Sequence, residues 1–288
     1  MALVVWGGAA LADPNDFRIY QLGNPSAGGT GYDPDANAHF RIFTRELAAA
    51  LTSVNLMPPE TLGHAAFSVN AELSVVSLQT GSFTFPTERA FGGTLLVPSV
   101  HVRKGLPFSF ELGTRAAWIE KSRMAAGTIE AKWALNEGFT YLPDIGVRGY
   151  GTRLLNSRDF DLTVAGLDVG IGKQFAVGGM VTLTPYVGWN LVWTAASSNN
   201  VDFRPERTHE ESIGSPAAQL QDTGVFDEVT LGANSHNRFY GGLRFIGGVV
   251  QIAAEVSVSQ LGRFRDAAGL EHSMPSVLAA NGTLGLDF

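Results

Sequence analysis

From about Ala65 onward the chain alternates. Phe67, Val69, Ala71, Leu73 and Val75 are interleaved with Ser68, Asn70, Glu72 and Ser74. A period of two places one set on each face of a β-strand. The pattern returns along the rest of the chain and predicts strands near 64–80, 94–104, 107–120, 125–137, 142–155, 159–174, 179–196, 233–246, 249–263 and 275–288. In 249–263, Val250, Ile252, Ala254, Val256 and Val258 share one face, and Gln251, Glu255, Ser257 and Ser259 the other. The connections alternate too. Lys104-Gly105-Leu106-Pro107, the stretch around Gly138–Tyr141, Phe175–Gly178 and Gly247-Gly248 are brief, whereas those near 81–93, 121–124, 156–158, 197–232 and 264–274 include longer, polar stretches. An even number of strands with short turns at one end and longer loops at the other predicts an all-β fold: a transmembrane antiparallel up-and-down β-barrel of about ten strands.

Composition sharpens this. No run reaches the roughly 18 apolar residues of a membrane helix; the densest stretch, 177–192, is interrupted by Gly178, Gly179, Thr182, Thr184, Pro185, Gly188 and Asn190. Charged residues make up only 16% and aromatics 10%, with 34 glycines, a balance suited to strands facing lipid on one side and a lumen on the other. A soluble β-sandwich would alternate as well, but its strands usually run about 5–6 residues. Trp118, Tyr186, Trp189 and Trp193 fit interfacial belts. A net charge of −7 offers no field for phosphate backbones, which argues against nucleic acid as a partner. The absence of cysteine excludes disulfides and thiolate metal sites.

The region before the barrel follows different rules. Ala2–Ala12 is apolar, and Ala10-Leu11-Ala12 before Asp13 has the form of a signal-peptide cleavage site, although the first basic residue is Arg18. Residues 1–12 therefore read as a remnant signal peptide, 13–63 as an N-terminal helical segment, and 64–288 as the barrel. Within 13–63, Asp33-Pro34 is a good helix entry. Phe40, Phe43, Leu47, Leu51 and Val54 then recur at helical spacing until Pro58-Pro59, which should end the helix. The apolar stripe of Phe40, Phe43, Leu47 and Leu51 must be covered, either inside the barrel as a plug or at its periplasmic mouth as a cap.

Candidate chemistry is sparse. Asp33, Asp35 and Asn37 have the spacing that opens a calcium loop, but Ala38 and Thr44 stand where glycine and glutamate belong; helix capping accounts for them. Ser235 and His236 are adjacent and so point to opposite faces of a strand, and His272-Ser273 lies in a different loop. Gly28-Gly29-Thr30-Gly31 follows no strand and precedes no lysine, unlike a phosphate loop. No catalytic residue, metal or cofactor is assigned. The lumen offers more: Glu72, Glu111, Arg115, Glu130, Lys132, Arg148, Arg238, Arg244 and Glu255 are expected to point inward. In so narrow a barrel, charges of both signs should pair across the lumen and brace the wall rather than line an open path.

In the last strand, Leu278, Ala280, Gly282, Leu284, Leu286 and Phe288 alternate with Asn281, Thr283, Gly285 and Asp287. Leu284, Leu286 and the final Phe288 resemble the C-terminal β-signal of bacterial outer-membrane proteins, with Gly282 where the signal's usual glycine would fall at 283. The resemblance implies assembly by the barrel-assembly machinery and surroundings of outer-membrane lipid and lipopolysaccharide. The alternation of short and long connections predicts a multi-pass chain with loop 197–232 extracellular and both termini periplasmic. Asn24-Pro25-Ser26 resembles the N-terminal region of FadL-type transporters of hydrophobic molecules, which place a small helical hatch before the first strand, although this chain is too short for their fourteen strands. The expected function is a narrow channel or transporter for small or hydrophobic molecules. Two alternatives stand beside it: a structural or surface-interaction barrel whose loop 197–232 meets a partner, and a hydrolase or acyltransferase at the outer rim.

Overall fold

In the computed structural model, which describes residues 13–81, 84–179, 181–205, 220–221 and 224–288, the alternating segments form one closed wall. Its ten strands are β1 (Phe67–Ser77), β2 (Thr94–Leu106), β3 (Phe110–Trp118), β4 (Ala125–Asn136), β5 (Asp144–Leu155), β6 (Phe160–Gly172), β7 (Val181–Ser198), β8 (Ser235–Gly247), β9 (Val250–Gln260) and β10 (Val277–Asp287). Each pairs antiparallel with the next. β10 returns to β1 in a register running from Ser68 opposite Asp287 to Ser77 opposite Leu278. Closure leaves no edge, so the strand backbones satisfy one another, as a bilayer core requires. The expected remnant signal peptide, 1–12, lies outside the described residues.

Burial follows the alternation. On β1, Ser68, Asn70, Glu72, Ser74 and Val76 are buried, while Val69, Leu73 and Val75 face outward. Phe110 and Trp133 stack on the outer surface with ring centroids 5.5 Å apart, and Trp118 and Trp189 are also outside. Tyr186 does not join them, contrary to the belt expectation. It stands an odd number of residues from Trp189 and so takes the other face, where its hydroxyl donates to Glu255.

Two short turns differ from expectation. β2 continues through Leu106, and the reversal falls at Pro107–Ser109, with Phe108 and Ser109 at φ of 64° and 60°. Hairpin twist favours left-handed residues there, but neither is the glycine or asparagine that would have signalled it. Between β6 and β7, Phe175–Val177 folds back on Val181–Leu183 around Gly178 and Gly179, forming a small hairpin. The other end carries the connections 78–93, 119–124, 156–159, 199–234 and 261–276.

The helix, α1 (Ala36–Leu51), lies inside the barrel in the half next to these loops. It stops before Pro58-Pro59, not at it. Thr52 is already extended, and its hydroxyl caps Ala48 O at 2.8 Å. From there residues 52–66 run down the lumen to the turn end and enter β1. Upstream of α1 the chain sits among the loops: Asn15 N donates to Lys121 O, and Phe17 bridges to Thr87. Asp13 and Phe288 therefore lie at opposite ends of the barrel. The expectation that both termini share the periplasmic side does not hold for the described chain, because the N-terminal segment crosses the lumen before the first strand begins.

Candidate functional site: the occupied lumen

The lumen has two zones, and the N-terminal segment fits each with a different chemistry. In the loop-end half, the wall presents Leu95, Val97, Leu154, Leu162, Val164 and Val192. Against these pack Phe40, Phe43, Leu47 and Leu51, all essentially inaccessible. Phe43 makes edge-to-face contacts with Phe17, Phe85 and Phe160 at 5.1, 5.7 and 5.3 Å, and Phe40 stacks on Phe226 at 4.8 Å. Each buried ring contributes about 1.5–3 kcal/mol. Loop 197–232 is where the alternative reading places a surface partner, and its packing leaves that reading untested. Its described part returns over α1, with Phe226 and Val229 buried and Asp227 N donating to Asn37 Oδ1. Asp33 Oδ1 accepts from Asp35 N, and Asp35 Oδ1 accepts from Ala267 N in the loop rather than from the helix, so, contrary to the capping expectation, the N-cap residue Asp35 does not cap α1 with its side chain.

Two charged side chains of α1 are buried in this zone. Arg45 Nη1 donates to the carbonyls of Leu261 and Arg263 at 3.0 and 3.1 Å, and Nη2 to Asn234 Oδ1 at 2.9 Å. Burial, and next the charge of Arg41, lower its pKa. Glu46 forms no ion pair among the described residues. Burial pushes its carboxyl up to about 7, with the neighbouring Gln79 acting in the opposite direction.

Below the helix the wall is charged. Glu72, Glu111, Arg115, Glu130, Lys132, Arg148, Arg238, Arg244 and Glu255 all point into the lumen and are buried. Glu130 is a hub, accepting from His101 Nε2 at 2.9 Å, Arg103 Nε at 3.2 Å, Arg148 Nη1 at 2.8 Å and Ser53 Oγ at 3.2 Å. His101 Nδ1 also reaches Glu72, which holds Arg115 Nε at 2.9 Å. Lys132 pairs with Glu111, Arg238 with Glu255, and Arg148 with Asp168. His101, Arg103 and Asp168 were not singled out from sequence, although they stand at lumen parity on β2 and β6 and the alternation alone could have found them.

Pairing across the wall is only part of what these charges do. They also bind the backbone of the threaded segment. Arg148 donates to Ser53 O and Val54 O, Arg103 to Asn55 O at 2.7 Å, and Lys132 to Glu60 O at 2.9 Å. In return Leu56 N and Leu62 N donate to Glu255 and Glu111, both at 3.1 Å. Arg244 pairs with Glu60. An extended backbone inside a barrel has no ladder of its own, and this ring of charges supplies the missing partners. Sequence reading missed it because the partners are backbone atoms, which carry no compositional signal.

The wall is also shaped for the segment. A Cβ on Gly105 would fall 1.9 Å from Gly63 O, one on Gly146 2.6 Å from Pro59 O, and one on Gly172 2.8 Å from Pro59 Cδ. Glycine at these lumen positions gives the threaded chain its room. A recess of about 450 Å³ at the turn end has Glu60, Leu62 and Gly63 in its lining, and one of about 290 Å³ at the loop end lies beside Arg41 and Arg45. His236 faces inward and Ser235 outward, while His272 pairs with Asp266 in an exposed hairpin. Among the described residues no group of three His, Asp or Glu is placed to hold a metal.

No protein-family profile matches the chain, and no curated relative matches its sequence. Solved structures similar to it include the Neisserial surface protein A, at 10% identity, with 78% of this chain and 100% of that one covered and a TM-score of 0.30. The transport unit of the autotransporter AIDA-I from Escherichia coli is similar at 10% identity, 89% and 99% coverage and a TM-score of 0.37. The outer membrane protein OprG from Pseudomonas aeruginosa is similar at 10% identity, 80% and 99% coverage and a TM-score of 0.31. Closed on itself, apolar outside and occupied within, the chain has the architecture of an outer-membrane β-barrel.

Proposed function

We propose that this chain is a gated transport barrel in which residues 36–63 are the gate. The observation that carries the reading is the match between lumen and segment. An apolar chamber receives the amphipathic helix, a charged ring receives the extended backbone, and glycines stand where the backbone passes closest. A wall braced only against itself would need neither the backbone contacts nor the glycines. In this reading the loops face outward. Displacing the segment opens a path with an apolar outer chamber and a charged inner constriction, suited to small solutes.

Deleting residues 13–60 tests this. The wall strands hydrogen-bond to one another without the segment, so the barrel is expected to fold. Its conductance in planar bilayers should rise from near zero to a discrete step, and the exposed charges should set its ion preference. A folded deletion variant that passes no more current than the full chain refutes the gate. It would leave a closed barrel acting through its outer loops.

A further inference from the structure

A second site lies where the gate helix meets the outer loops, and it does not depend on whether the gate opens. Arg41 and Arg45 are four residues apart and share one side of α1. Like charges at that spacing destabilise a helix unless something sits between them. No carboxylate pairs with either among the described ion pairs. Arg45 is 7% exposed, its Nη atoms are held by neutral acceptors, and among the described residues neither its Nε nor the buried Nε of Arg41 has a partner. The hairpin formed by Arg263–Arg265 and Glu271–Ser273 brings two more guanidiniums to the same recess of about 290 Å³. Arg263 and Arg265 share one carboxylate, Glu271, at 3.5 and 2.8 Å. The other carboxylate of the lining, Glu228, forms no ion pair among the described residues. Among the described residues, four guanidiniums thus face two carboxylates around a cavity that opens at the loop end.

We propose that this recess binds a tetrahedral dianion, a phosphate or a phosphate monoester. The excess of two positive charges matches a dianion, and guanidinium forks suit such oxygens better than a single ammonium would. An anion seated there touches the helix through Arg41 and Arg45 and the hairpin through Arg263 and Arg265, so its binding also fastens the helix to the loop. The phosphate could be carried by a free solute or by a lipid headgroup.

The test is calorimetric titration of the folded full chain in zwitterionic detergent with inorganic phosphate. A parallel titration uses zwitterionic micelles doped with phosphatidic acid. Wild type should bind at least one of these saturably. Arg41→Gln, at a half-buried position, and Arg265→Gln, at an exposed one, should each weaken that binding about tenfold, and Glu228→Gln should tighten it. Binding of inorganic phosphate assigns a solute; Arg41-dependent binding of the doped micelles alone assigns a lipid headgroup. Absence of saturable binding, or binding that Arg41→Gln and Glu228→Gln leave unchanged, overturns the proposal. Arg45 is left intact because its contacts hold α1 in place.

Discussion

Glu46 offers a quantitative test of how the helix is seated. It is fully buried beside Gln79, and burial pushes its carboxyl from 4.5 up to about 7. With the helix displaced into water the group should return to its ordinary value. A difference of that size is worth about 3 kcal/mol. The raised value belongs to the docked state, so docking takes up a proton. Docking is therefore favoured fully below pH 4.5, loses stability as pH rises toward 7, and carries the whole penalty above it. Glu46→Gln removes the titration. The chain has no cysteine, so Ala50→Cys on α1 supplies a single buried reporter whose maleimide labelling measures undocking. After correction for thiol reactivity against a denatured control, labelling should rise about a hundredfold between pH 4.5 and 7.5. In the Glu46→Gln background it should stay flat and slow. Parallel profiles with and without Glu46 would refute the reasoning, since the carboxyl would then be equally solvated in both states.

Two further outcomes follow from the geometry. Gly146→Val places a Cβ 2.6 Å from Pro59 O, an overpacking worth about 1–3 kcal/mol; single-channel current should increase in the full chain, whereas the same substitution in the 13–60 deletion should add nothing. For orientation, an epitope inserted after Asn199 should be reached by antibody on intact cells and one after Gly248 should not, and the reverse pattern would invert the barrel.

The sequence by itself determined the wall. Alternation is a local property with a period of two, and burying one face of each strand while lipid covers the other forces residues such as Glu72, Arg148 and Glu255 inward whatever their partners. The parity of the lumen charges follows from that constraint. So does the helix at Phe40–Leu51, whose stripe needs covering. What only the tertiary structure decided is who meets whom across the lumen. That Arg148 serves Ser53 O as well as Glu130 and Asp168, or that Gly146 stands opposite Pro59, depends on how far the segment is drawn into the barrel. No local pattern encodes that depth. Nor could sequence say that the chain crosses the lumen before β1, which puts Asp13 and Phe288 at opposite ends. Helix and threaded segment are seated by long-range packing and by hydrogen bonds to backbone atoms. A carbonyl of Ser53 looks the same in sequence as any other, until the wall closes around it.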